Sequence, residues 1–288
     1  MEKLQSSLKI TGNCITFCVG GTMKKLLLVA VAVLMTAGCG AGLKRYGDVY
    51  NHGTVAKYNV FVNDIFVGTA TYTFTFEKYR DADCLKITRS SETKNKTMGS
   101  DDLIIANTQV FLDTKSYKPL YSKTKMEWSG SSTGWHEVES EYGDKIVKWT
   151  NKTPAGSQSK DIKFYETYYD EDELSWIVPL LGYREDNRIY CTAFANRSGQ
   201  PVQGLIWTGG KKKTEATGKT YDTFAASVRL NEVSQNLWFE ESTGRLVMYM
   251  QTQGFMGYPA PPGEKPDDYK IPDTKYVEVL DSWTEPQN

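Results

Sequence analysis

The residues able to do chemistry are few and poorly placed for it. Two histidines are present, His52 and His136. A Ser-His-Asp or Cys-His site needs one of them in a formed pocket. His52 precedes the first patterned strand and is a poor base. His136 follows Trp135 within an extended run, where a surface position is expected. Ser122–Lys125 and Ser157–Lys160 have Ser-x-x-Lys spacing. The first lies in an extended run and the second in a Gly/Ser-rich turn. Neither is the helical setting that aims a lysine at a serine. There is no HExxH or CxxC, and the body lacks the His/Cys clusters that zinc requires. No catalytic residue, metal or cofactor is therefore expected. The acidic run Asp170–Glu173 offers carboxylates to calcium but lacks the spacing of a calcium loop. Its expected role is at the start of a helix, with Asp170 as cap. Gly209-Gly210 followed by Lys211–Lys213 could meet lipid phosphates, and three lysines at a turn also make an ordinary solvated edge. Asn95, Asn151 and Asn196 each open an Asn-x-Ser/Thr triplet that carries little weight.

One cysteine has a setting of its own. Met23 to Cys39 reads MKKLLLVAVAVLMTAGC. Lys24 and Lys25 precede an apolar run from Leu26 to Met35, and Thr36, Ala37 and Gly38 lead to Cys39. Positive end, apolar middle and small-residue cleavage site make a secretory signal. A ten-residue helix reaches roughly 15 Å, half a bilayer core, which is too short for a permanent span. The stretch resembles a bacterial lipoprotein signal, with Thr36 where that family usually has Leu. The resemblance implies cleavage before Cys39 and acylation of Cys39 with fatty acids such as palmitate. It implies a lipid-anchored body in the periplasm. The outer membrane is preferred, because Gly40 is not the aspartate that retains some lipoproteins at the inner membrane. The other reading is an ordinary cleaved signal or an uncleaved anchor.

The organisation expected is residues 1–22 as a mis-assigned start, 23–38 as signal peptide, 39–53 as tether and 54–288 as one β domain. From Cys39 onward 250 residues remain, room for one large β domain or two small ones. Dropping what precedes Cys39 moves the net charge from −1 to −4. A mildly acidic chain has no electrostatic reason to bind nucleic acid. Within the body, Cys84 and Cys191 are either a disulfide or two buried thiols. A bond would close a loop of about a hundred residues, worth up to ~5 kcal/mol.

Hydrophobic alternation has to position whatever site exists. TVAKYNVFV from Thr54, then Asn63-Asp64, then IFVGTATYTFTFEKY reads as a hairpin. Ala70, Tyr72, Phe74 and Phe76 alternate with Thr69, Thr71, Thr73 and Thr75, so one face meets a core and the other meets water. Further strands are expected at 84–93, 103–112, 120–128, 135–142, 145–150 and 161–165. They resume at 188–195, 201–207, 211–216, 220–230, 234–240, 246–252 and 276–283. Turn clusters separate them, with Gly209-Gly210 and Ser242-Thr243-Gly244 as hairpin turns. One helix interrupts, LSWIVPLL at Leu174–Leu181, apolar enough that it must be covered. Gly254–Pro272 holds five of the ten prolines and reads as a loop. It is either a long hairpin connection or a lid.

Four passages carry a further resemblance: VNDIFVGTATYTF (Val62–Phe74), SYKPLYSKTKMEW (Ser116–Trp128), DELSWIVPLL (Asp172–Leu181), and TGKTYDTFAASVRL with LWFEESTGRLVMY (Thr217–Tyr249). Their order is similar to that in a family of bacterial periplasmic proteins of unknown function. That family's fold is similar to lipoprotein carriers. The resemblance implies a mainly β protein: a single large antiparallel, strongly curved sheet, an open half-barrel, wrapped round one central helix. It supplies no catalytic residues. It implies a concave, partly apolar surface able to hold an acyl chain or extended peptide.

Seven Trp, eighteen Tyr and eleven Phe are the remaining signal. Tyr72, Phe74, Phe76, Trp128, Trp176, Trp207 and Trp238 could line one greasy concavity suited to a lipid. They could equally fill a closed aromatic core. The function expected first is a non-enzymatic envelope lipoprotein that binds or transfers a hydrophobic ligand. A structural or assembly module for another envelope protein comes second, and a hydrolase with His136 as base third.

Overall fold

The computed structural model describes residues 9–11, 14–16, 49–94, 102–130, 134–164, 168–231, 233–253 and 274–286. The chain divides into two units, Met1–Leu43 and Lys44–Asn288. Within the first, β1 (Lys9–Thr11) pairs antiparallel with β2 (Cys14–Thr16). The signal stretch, Cys39 and the loop expected at Gly254–Pro272 lie outside the described residues.

The second unit is one 15-stranded sheet. Its strands are β3 (Thr54–Val62), β4 (Ile65–Tyr79), β5 (Ala82–Lys94), β6 (Leu103–Asp113), β7 (Pro119–Ser129), β8 (Gly134–Tyr142), β9 (Ile146–Thr153), β10 (Gly156–Lys163), β11 (Tyr168–Asp170), β12 (Arg188–Ala195), β13 (Gln200–Ala216), β14 (Lys219–Leu230), β15 (Val233–Glu240), β16 (Leu246–Gln253) and β17 (Thr274–Thr284). The helix α1 (Leu174–Leu181) falls between β11 and β12. Two antiparallel arms grow outward from the β3–β17 pair, one through β4 to β10 and the other through β16 down to β12. β11 is added to β12 in parallel.

The hairpin turn forms as its residues dictate. Asn63 and Asp64 both have positive φ, 49° and 65°, the two-residue geometry whose twist matches paired strands. Along β4, Ala70, Tyr72 and Phe74 are buried while Thr69 to Thr75 face outward. One turn was misread. Gly209 and Gly210 do not reverse the chain but form a bulge inside β13, where the ladder to β14 skips between Thr208 and Lys211. Two glycines relax either a turn or a bulge, and the strand on each side decides which.

The sheet does not close edge to edge. Its penultimate strand, β12, is buried on both faces from Cys191 to Phe194. Cys191 and Ala193 join the core around α1, while Phe194 meets Val138, Tyr142, Val147 and Trp149 from the far arm. The two ends therefore overlap like a scroll. α1 fills the inside, with seven of its eight residues buried. Tyr50 packs there too, its ring 4.3 Å from Phe74 and its hydroxyl donating to the Trp176 carbonyl. Val49 and Tyr50, read as tether, are thus part of the core.

One sequence expectation is corrected and one open alternative is resolved. Asp170 does not cap α1: the N-cap is Glu173, without a side-chain cap, and its Oε1 accepts from the Asp170 amide instead. Cys84 and Cys191 are both free and buried. They sit on β5 and β12, far apart in sheet order, which no loop-entropy gain can bridge.

Candidate functional site

Two buried polar clusters lie on the concave side. The first is centred on Arg89. Register across β4 and β5 sets Arg89 opposite Tyr72, and β17 brings Tyr276 and Glu278 to the same face. Arg89 donates through Nη2 to Glu278 at 2.9 Å and to the Tyr276 hydroxyl at 2.8 Å, through Nε to Tyr72 at 2.9 Å, and through Nη1 to Ser91 at 2.9 Å. Tyr72 and Tyr276 each donate to Glu278. Burial alone would depress the guanidinium, but Tyr72, Tyr276 and Glu278 more than reverse that and hold it above its ordinary range. Four of the five guanidinium protons and both phenol protons have acceptors within the network, so it is an ion pair already engaged rather than a vacant anion site.

The second cluster lies at the seam of the scroll. Asp170, at the end of β11, is fully buried. Its Oδ2 accepts from Tyr142 of β8 and from Asn196 Nδ2 at 2.7 Å, and its Oδ1 from the Asp172 amide at 2.8 Å. Asn196 Oδ1 accepts from Ser140 at 2.7 Å and Ser122 at 3.4 Å, and its carbonyl from Trp149 Nε1 at 2.7 Å. Burial, then Asp172, pushes the Asp170 carboxyl up to about 6. Burial and Asp170 push Glu173 well up, and its Oε2 has no partner.

The residues singled out by chemistry do not assemble. His136 Nε2 faces Asn151 Oδ1 at 2.8 Å, and His52 Nδ1 accepts from the Phe76 amide. Ser122 is committed to Asn196, while Lys125 pairs with Glu127. Ser157 and Lys160 lie on β10, where Lys160 stacks over Trp149. Lys211 and Lys213 pair with Glu241 and Asp222, and Lys212 covers Trp238. Among the described residues no group of three His, Cys, Asp or Glu side chains could hold a metal.

Nor do the seven aromatics form one wall. Tyr72, Phe74 and Trp176 are buried against one another under α1, with Trp176 centred 4.3 Å from Tyr72 and 5.3 Å from Phe74. Phe76 is at the exposed end of β4. Trp207 and Trp238 sit on the convex face, beneath Arg188 and Lys212. Of the seven, Trp128 alone has concave parity and is half-buried, beside Ile104 and Gly134. The Asp170–Asn196 seam was missed. Its one useful sequence signal was the acidic run, since the Asn-x-Ser triplet that Asn196 opens has no bearing on a buried amide.

A plugged, unclosed β scroll with two buried polar clusters defines a β-barrel-like domain. The chain belongs to the DUF3108 family of proteins of unknown function, whose profile matches residues 57–257. No curated protein matches it. Among solved structures it is similar to a β-barrel-like protein of the DUF1849 family from Brucella abortus, with a TM-score of 0.53 and 9% identity over 83% of this chain and 99% of that one. At that identity the likeness concerns the fold.

Proposed function

We propose that this is a lipid-anchored envelope protein, held at the membrane through Cys39, whose body is an assembly module that binds another envelope protein. One observation carries this over a lipid carrier: the chain's own helix occupies the place a carried acyl chain would take. Trp176 touches Tyr50, Tyr58, Tyr72 and Phe74 there. Exposed apolar surface lies instead at the β3–β4 hairpin tip, where Ile65 and Phe66 are more than half exposed beside Phe61. Such clustered exposure on a folded domain marks a contact surface.

The hydrophobic-ligand reading keeps one support, the half-buried Trp128 and Ile104 on the concave face. Lipid analysis of the natively purified chain separates the two. Only the anchor should be found. A second, stoichiometric lipid that disappears in Trp128→Ala would replace the assembly reading with the carrier one.

A further inference from the structure

The two edges of the 15-stranded sheet are finished differently. β11 is three residues long, and the far arm covers it. Tyr168 stacks on Tyr142, and Asp172, just past the strand, accepts from Thr124 of β7. β10 is eight residues long, pairs with β9 alone, and is exposed at every residue but Ile162. Edges are ordinarily blunted by shortness, a bulge, a proline or lysines laid across them. β10 is long, holds no proline, and keeps an unbroken register from Gly156 to Lys163. Lys160, near its middle, is drawn over the Trp149 ring, 5.2 Å from its centre, and so away from the open edge.

Register fixes where the free backbone groups point. The Phe164 amide donates to the Lys145 carbonyl. Gln158, Lys160 and Ile162 share its parity and turn their backbone groups toward β9. Ser157, Ser159, Asp161 and Lys163 turn theirs away, and among the described residues no strand meets them. We propose that this edge is the docking site for an extended, acidic segment of a partner protein, which adds to the sheet as a further strand beside β10.

Charge selects the partner. β9 and β10 together carry Lys148, Lys152, Lys160 and Lys163 against Asp161, a net +3 in a chain whose overall charge is −1. Glu137 takes up Lys152. Among the described residues, Lys148, Lys160 and Lys163 form no ion pair. A second copy of this edge would bring the same excess of lysines and be repelled, whereas an acidic strand is attracted. The proposal rests on the assembly reading and names the element by which the partner is held.

Photocrosslinking of the full chain in the cells that naturally make it tests this, with benzoylphenylalanine placed at Ser157 on the edge or at Phe66 on the hairpin tip. The edge probe should give an adduct with one protein species. Ser159→Pro removes an outward N–H that β9 does not use, and should cut that adduct about tenfold. Ser159→Ala keeps the N–H and should leave the adduct within about twofold. Lys163→Glu should cut it about threefold, because it sets like charges against each other. Urea unfolding midpoints of all three variants should match the wild type. The proposal is overturned if no edge adduct forms, if the adduct survives Ser159→Pro, or if Ser159→Ala loses it equally. It is also overturned if Lys163→Glu leaves the adduct unchanged or strengthens it, and this variant decides where Ser159→Pro disturbs the fold. An adduct from Phe66 without one from Ser157 sinks the edge and leaves the assembly reading standing; none from either removes both.

Discussion

Removing Arg89 should cost far more than removing the whole ion pair. Glu278 has a side chain only 3% exposed and sits 2.9 Å from the guanidinium, which is itself 22% exposed. At an effective dielectric of about 20, a 2.9 Å pair attracts with roughly 6 kcal/mol before desolvation is charged against it. Arg89→Ala deletes that attraction and leaves the carboxylate buried, with Tyr72 and Tyr276 as its remaining donors. The expected loss is about 3–5 kcal/mol. Arg89→Met with Glu278→Leu removes both charges and keeps the volume. It should cost less than Arg89→Ala alone, about 1–2 kcal/mol, because only hydrogen bonds to Tyr72, Tyr276 and Ser91 are lost. Equilibrium urea unfolding of the purified chain, followed by tryptophan fluorescence, measures all the variants. Added salt should barely alter the ordering, since the pair is shielded from solvent ions. A loss below about 1 kcal/mol for Arg89→Ala would refute the reasoning. So would a double variant costing the sum of the two single changes to within about 0.5 kcal/mol.

Trp176→Ala should destabilise by about 3–5 kcal/mol in the same assay, because four aromatic neighbours lose their common partner. A value under about 1 kcal/mol would mean that α1 is not the plug described. Cys84 and Cys191 should both resist alkylation in the native chain and both react after unfolding without reductant; burial pushes the Cys191 thiol up to about 11. A thiol count of zero after unfolding would restore the disulfide. Cys39→Ser should abolish the acyl mass increment and release the body from membranes, as read by intact mass and fractionation in a bacterial host. An unchanged mass for the wild type would remove the anchor.

Local pattern was enough for most strands and for α1. Alternation along Thr69–Phe76 gives the two faces directly, and eight consecutive positions from Leu174 are too apolar for anything but a covered helix. The two histidines are taken up locally, His136 by Asn151 and His52 by the Phe76 amide. The Gly209-Gly210 turn failed, and the choices between disulfide and buried thiols and between aromatic wall and aromatic core stayed open, for a shared reason: each depended on where distant strands lie, which composition and spacing do not encode. β11, three residues long, was invisible because its parallel partner stands across α1 in the chain.

What the amino-acid order determined by itself was most of the strands and the buried helix. All are properties of neighbours within a few residues, where periodicity and turn chemistry act. Only the folding of the arms decided that the sheet overlaps instead of closing, that Trp176 fills the hollow, and that Asp170 meets Tyr142 and Asn196. Those outcomes follow from register and curvature accumulated over fifteen strands. A one-residue slip anywhere along them would have turned the same side chains to the opposite face.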